Sequence, residues 1–213
     1  MHRAGSAWGI FHSNIGGEMK RLCLYGVLLL LLPLGAAAAQ RYEIPCNGVL
    51  LSEAIAIMHS QVDICEATGK NDGEVNKYTQ SLGLRGNYPY CAAAIWWCFE
   101  QARCKLGLPK AFHPLPATAV AGEMFAFAKR QGKRTGYYPD VYDLIVWKRQ
   151  NSFRGHIECV VEVMKSGFVR TIAFNSGSTV AGKTREGVFF QKRNVFHPLA
   201  RMKVRGLIGF SIV

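Results

Sequence analysis

The chain has 213 residues, with 26 Lys+Arg against 14 Asp+Glu, and 49% of its residues are hydrophobic. Such a composition excludes a disordered tail, a collagen-like chain and a small disulfide knot. Charged residues are only 19%, and neither heptads nor internal repeats occur, which excludes coiled coils and solenoids. What remains is a globular chain with a basic surface, long enough to bury a real core.

Lys20-Arg21 is followed over residues 22–39 by an apolar run with five consecutive leucines and a small-residue end, Ala37 and Ala39. A positive n-region, a compact apolar segment and an Ala-x-Ala end describe a secretory signal peptide, too short and too abruptly ended for a membrane span. Residues 19–39 are therefore expected to be a signal peptide and 40–213 the working domain. Residues 1–18 precede the charged n-region and read as a mis-annotated extension, with translation starting at Met19. Export puts the protein in the periplasm or outside the cell, with membrane contact only if the signal segment is retained. Its positive charge favours anionic partners. The basic residues are scattered and match no nucleic-acid motif, so nucleic acid is not expected as a partner.

After cleavage the first element is a helix over 49–62, with Leu51, Ile55, Met58 and Val62 on one face. Thr68–Gly73 is a turn, in which Asn71 and Asp72 precede a short helix over Glu74–Ser81. Asn71, Asp72 and Glu74 carry oxygen ligands, but their spacing is not that of an EF-hand, and no metal or cofactor is expected. Pro89 biases Tyr88 away from helical geometry, and a long helix then runs from Cys91 to Leu106 with Cys91, Ile95, Cys98 and Ala102 on one stripe. A further helix is expected over Ala119–Arg130. Strands follow over Asp143–Trp147, His156–Val163, Phe168–Asn175, Gly187–Gln191 and Val204–Val213. Helices first and a meander afterwards imply an α+β fold in a single domain, with an antiparallel β-sheet of about five to six strands.

Six cysteines follow the signal segment, and no C-x-x-C pair occurs among them, which weakens a zinc or thioredoxin reading. Cys91 is placed apart from the others, because it opens a helix. The positive end of the helix dipole there favours the nucleophilic thiolate, whereas burial as a plain core residue is the other reading. Cys98 lies about 10 Å further along the helix axis, too far to bridge Cys91. Cys46, Cys65 and Cys104 are the candidates for disulfides in an oxidising compartment, with connectivity open. A cysteine nucleophile needs a base, and the choices are His59, His113, His156 and His197. His59 reads as a surface or packing residue in mid-helix, and His113 and His197 precede prolines in loops. His156 follows Gly155 and opens a strand, where a base is held rigidly.

Tyr88-Pro89-Tyr90-Cys91-Ala92-Ala93-Ala94, with Trp96 or Trp97, resembles the P-W-C-A-A-F segment of CHAP domains, the cysteine, histidine-dependent amidohydrolases/peptidases. Glu66–Gly73 and Tyr78–Leu84 look like the lead-in of exported bacterial members. Pro139–Trp147 resembles the family's P-x-x-G-D-I-V-V-F, Gly155-His156-Ile157 its G-H-V, and Thr171–Asn175 its T-I-E-G-N. The resemblance covers about residues 50–212. It implies a papain-like fold and a monomeric peptidoglycan hydrolase, an endopeptidase or N-acetylmuramoyl-L-alanine amidase acting on stem peptides. It implies Cys91 as nucleophile, His156 as base and Asn175 as the residue that orients the histidine. The Cys91 backbone N–H suits an oxyanion, with Asn87 and Tyr88 as candidates for a second donor.

Three positions depart from the family pattern: Tyr90 for tryptophan, Tyr142 for glycine and Ala173 for glutamate. The last removes a carboxylate beside the asparagine. With a two-residue turn at Lys165-Ser166, His156 faces Asn175 and Glu158 faces Ala173 across a hairpin, so Glu158 either supplies the missing carboxylate or points to solvent. The alternatives to an active wall hydrolase are a catalytically weak or inactive wall-binding module of the same fold, and a secreted antibacterial effector.

Overall fold

The computed structural model describes residues 40–213; the expected extension 1–18 and signal segment 19–39 lie outside the described residues. The chain enters through β1 (Arg41–Cys46), followed by α1 (Gly48–Ser60), α2 (Asn76–Gln80), α3 (Cys91–Lys105) and α4 (Ala121–Gln131). Six more strands follow: β2 (Lys133–Gly136), β3 (Leu144–Arg149), β4 (Gly155–Val163), β5 (Phe168–Val180), β6 (Lys183–Asn194) and β7 (Met202–Ile212). All seven strands join in one sheet of order β2-β1-β7-β3-β4-β5-β6.

The α+β class and the expected helices stand, but two features of the sheet differ. It has seven strands instead of five to six, and it is mixed, because β1 runs parallel to β7. β1 escaped the sequence reading because Pro45 interrupts it and its partner lies at the far end of the chain. Its alternation is nonetheless clean, with Tyr42, Ile44 and Cys46 buried. β2 has the polar sequence Lys-Arg-Thr-Gly and carries no hydrophobic signal at all.

α1 starts where Asn47 Oδ1 accepts the Leu50 N–H at 3.0 Å, an N-cap that satisfies one orphan donor of the first turn. It buries Leu50, Leu51, Ala54, Ile55 and Met58, while Val62 lies beyond its end. α3 buries Cys91, Ala92, Ala93, Ala94, Ile95, Cys98, Phe99 and Ala102. Three successive alanines let neighbouring elements approach this helix closely. Together the helices cover one sheet face in a core that includes Leu144, Val146, Ile157 and Cys159. The reverse face holds a smaller cluster of Ile145, Trp147, Val160, Val169, Val195 and Leu207. Strand alternation puts His156 and Glu158 on that reverse face with Val160.

The β4–β5 hairpin has the expected register at Cys159–Ile172 and Val160–Thr171. Its turn is one residue longer than expected, a 3₁₀ turn over Lys165–Gly167, and a bulge between Val160 and Glu162 absorbs the extra residue. The ladder ends at Cys159–Ile172, so the expected pairs Glu158–Ala173 and His156–Asn175 do not form rungs.

The six cysteines at 46, 65, 91, 98, 104 and 159 are all free thiols. The expected disulfide candidates are held elsewhere: Cys46 faces the Asn47 carbonyl at 3.5 Å, Cys65 faces the Asp63 carbonyl at 3.5 Å, and Cys104 lies beside Arg103 on exposed helix surface.

Candidate active site

Cys91 is the first residue of α3 and is 4% exposed. No side chain caps this helix, so the dipole's positive end is left for the sulfur. Where the β4–β5 ladder has ended, the Ile157 N–H, which a paired strand would otherwise use, is left to favour the Cys91 thiolate. A thiol on the helix side can thus meet His156, which is 8% exposed. Burial alone would raise the Cys91 thiol. The hydrogen bond and charge of His156, with the N–H groups of Ile157 and Ala92, outweigh it and hold the thiol below its ordinary value. Burial likewise opposes charge on His156, but its bonds to Cys91 and Glu158 push it well above the usual imidazole range. Thiolate and imidazolium are therefore the favoured pair.

His156 Nε2 lies 3.0 Å from Glu158 Oε1, which leaves Nδ1 for the sulfur. Glu158 has no exposed surface, so the solvent-facing alternative for it is excluded. Its Oε2 accepts the Thr171 hydroxyl at 2.6 Å. Arg193, on β6, reaches it through Nε at 2.9 and 3.0 Å and through a terminal nitrogen at 2.8 Å. Burial would raise the Glu158 carboxyl, but the bonds from His156 and Arg193 hold it below its usual value. The Trp147 ring, opposite on β3, lies 6.1 Å from that of His156. Gly155 lets the strands approach closely before the histidine, since a Cβ there would stand 2.7 Å from the Trp147 carbonyl oxygen.

The Asn175 side chain makes no hydrogen bond to the histidine. It sits in a bulge between Phe174 and Ser176 with φ of 57°, and the bulge turns its side chain to Asn71 Oδ1 at 2.7 Å and Glu66 Oε1 at 3.4 Å. Its expected partner role at His156 falls to Glu158, two residues along the same strand. Asn175 still lines the cleft over Cys91. Asp72 bonds back to Thr68 instead of capping the helix that follows. Among the described residues no group of three or more His, Cys, Asp or Glu side chains could hold a metal ion.

The other histidines lie elsewhere. His113 stacks on Trp96 with ring centroids 5.1 Å apart, and burial lowers its value. His59 packs on Phe190, and the His197 carbonyl accepts the Trp147 indole N–H at 3.4 Å. Of the candidate oxyanion donors, the Tyr88 N–H is already given to the Gly86 carbonyl at 3.2 Å, and Asn87 is exposed. The Cys91 N–H at the helix start remains the donor best placed for an oxyanion. Thr171 and Arg193 went unassigned from sequence. Thr171 was legible as a threonine opposite the His156 strand, but Arg193 lies 35 residues from Glu158 in a basic chain where no local pattern marks it.

The site opens into a cleft of about 760 Å³ with largely apolar walls, including Leu84, Tyr88, Pro89, Val120, Phe153 and Met202. A thiol at a helix start, a strand-borne imidazole and a buried carboxylate thus meet beneath an open cleft. Residues 83–175 match the family model of the CHAP domain. The match spans Cys91, His156, Glu158 and Asn175, and domains of this family are generally hydrolases, amidases or peptidases. No curated protein and no solved structure matches the chain.

Proposed function

We propose that this protein is an exported cysteine hydrolase that cleaves amide bonds in peptidoglycan stem peptides, as an endopeptidase or muramoyl-alanine amidase. The observation that carries the reading is the contact between Cys91 and a His156 already fixed by Glu158, at the floor of an open cleft. The thiolate attacks the scissile carbonyl while the Cys91 N–H receives the developing oxyanion. The C–N bond breaks as His156 gives its proton to the leaving amine. Water, deprotonated by the same imidazole, then releases the new carboxylate and restores the thiol pair. Glu158 does not take the proton; it holds the ring with Nδ1 toward the sulfur and stabilises its charged form.

The reading of a silent wall-binding module drew its force from Ala173. A buried carboxylate at 3.0 Å from His156 Nε2 weighs against it, because Glu158 fills the part that Ala173 lacks. Export rests on the apolar segment after Lys20-Arg21. The test is mass spectrometry of purified sacculi digested with wild type and with Cys91→Ala. Wild type is expected to release muropeptides carrying a new amine and a new carboxylate, and Cys91→Ala none. Equal release by both proteins would refute the thiol mechanism, and release by neither would refute the substrate.

A further inference from the structure

Lys148 on β3 and Lys203 on β7 are directly opposed in an antiparallel ladder. Like charges in that position repel and destabilise the strand pair. Arg205 lies two residues along β7, with its guanidinium 5.6 Å from the Phe125 ring centroid. Among the described residues no salt bridge engages Lys148, Arg149, Lys203 or Arg205. The acid in the first turn of α4, Glu123, bonds the Thr118 hydroxyl instead. All four cations line one concavity of about 380 Å³, completed by Gln150, Asn151 and Val204, with no carboxylate in its walls.

The concavity adjoins the Cys91 cleft through the sheet itself. Lys148 is the Cα partner of Gly155, and Arg149 is the partner of Met202. Gly155 and Met202 both line the cleft. Four converging, uncompensated cations are an arrangement the fold tolerates at an electrostatic cost, and a bound anion removes that cost.

We propose that this basic pocket is a second binding site, which takes oxyanion groups, carboxylate or phosphate, of the polymer strand whose amide lies at Cys91. It rests on the wall-hydrolase reading for the identity of that polymer. The cleft's apolar walls would receive the residues flanking the scissile bond, and the pocket would hold the charged groups further along the same strand.

The experiment is co-sedimentation of the Cys91→Ala protein with purified sacculi over a range of salt. Adding Lys148→Gln and Lys203→Gln is expected to weaken binding about tenfold and to flatten its salt dependence. A control carrying Lys129→Gln and Lys183→Gln, two exposed lysines outside the pocket, makes the same change in net charge and is expected to bind like its parent. Sacculi with amidated carboxylates and sacculi stripped of phosphodiester polymers separate the two oxyanion sources, since only loss of the relevant one should mimic the double variant. Equal binding by the pocket variant and the control overturns the proposal. Should the double variant not melt cooperatively, Lys203→Gln alone carries the same comparison. The binding readout does not depend on turnover, so a protein that binds through the pocket but releases no muropeptides refutes the hydrolase reading and leaves the site standing.

Discussion

Glu158 and His156 stand two residues apart on β4, with the fully buried carboxylate 3.0 Å from the ring Nε2. Because the ring's other nitrogen is left to Cys91, that contact fixes the ring's orientation and favours its charged form. Glu158→Gln is expected to lower kcat/KM by about 10²-fold while leaving KM nearly unchanged. Steady-state kinetics on solubilised muropeptides would check it, and a fall of only a few-fold would remove Glu158 from the site.

The pH profile follows from the directions of the two shifts. The Cys91 value is depressed, so its thiolate persists above that value and is lost as pH falls through it. The His156 value is raised, so its imidazolium persists below that value and is lost as pH rises through it. Between these limits the reactive pair is populated, and kcat/KM should form a plateau broader than that of a free thiol and a free imidazole. Glu158→Gln should narrow the plateau from its alkaline side, because the imidazolium loses its stabilising charge. The rate of Cys91 alkylation by iodoacetamide against pH, followed at that residue by mass spectrometry, reports the same limits without substrate.

Arg193 acts on the same pair through the carboxylate. Its fork onto Glu158 fixes which oxygen faces the ring and keeps a fully buried acid ionised. Arg193→Met leaves that acid with His156 but without the guanidinium, so the carboxyl should protonate at higher pH and the acid limb of kcat/KM should move alkaline by about one unit. Arg193→Lys, which keeps the charge but not the fork, should recover part of the shift. A variant that folds with an unmoved acid limb would reduce Arg193 to a packing role.

Which parts of this were legible in the sequence follows from the range of the interactions. α3 and the strand of His156 announce themselves locally, the one by an unbroken apolar stripe from Cys91, the other by Gly155 and a run of β-branched residues. The hairpin register was readable because two strands joined by a short turn have few choices, even though the turn proved longer and a bulge corrected it. Asn175 was misplaced for the same kind of reason: alternation assumes an unbroken strand, and a single residue at φ of 57° re-aims the side chain. β1 and Arg193 were beyond reach because their partners lie far along the chain, where no periodicity connects them.

Asn175→Ala separates the family expectation from the observed contacts. Since its amide bonds Asn71 and Glu66 and not His156, the pH profile should keep its shape. Loss of one well-made hydrogen bond and of a residue suited to positive φ should cost about 1 kcal/mol, measured by denaturant unfolding. A collapse of activity with intact stability would restore Asn175 to the histidine.

Arg41 and Asp143 pin β1 to the segment entering β3, with bonds of 2.7 and 2.9 Å and the carboxylate 1% exposed. Burial pushes the Asp143 carboxyl up to about 6 even against the pull of Arg41. A raised acid value means the unfolded chain ionises first, so this group's contribution falls as pH rises from the ordinary carboxyl range through about 6. Arg41→Leu removes the cation that pairs with Asp143 and should destabilise by about 3 kcal/mol near neutral pH. The deficit should shrink near about pH 3, where an unpaired carboxyl is largely neutral in both states. Equal deficits at both pH values would show that packing, not charge, holds the two strands.

Tyr142 holds φ of 76° at the position where CHAP relatives carry glycine, and its N–H donates to the Val160 carbonyl at 2.8 Å. The turn that enters β3 therefore needs the left-handed conformation whichever residue stands there, and a side chain makes it costly by roughly 1–2 kcal/mol. Tyr142 is partly exposed, so little apolar burial is forfeited on its removal. Tyr142→Gly should accordingly raise stability by about 1 kcal/mol and leave the Cys91–His156 pair undisturbed, as read by thermal unfolding and by the pH dependence of alkylation. A loss of stability would mean that the ring makes contacts on β3's approach worth more than the backbone strain it imposes.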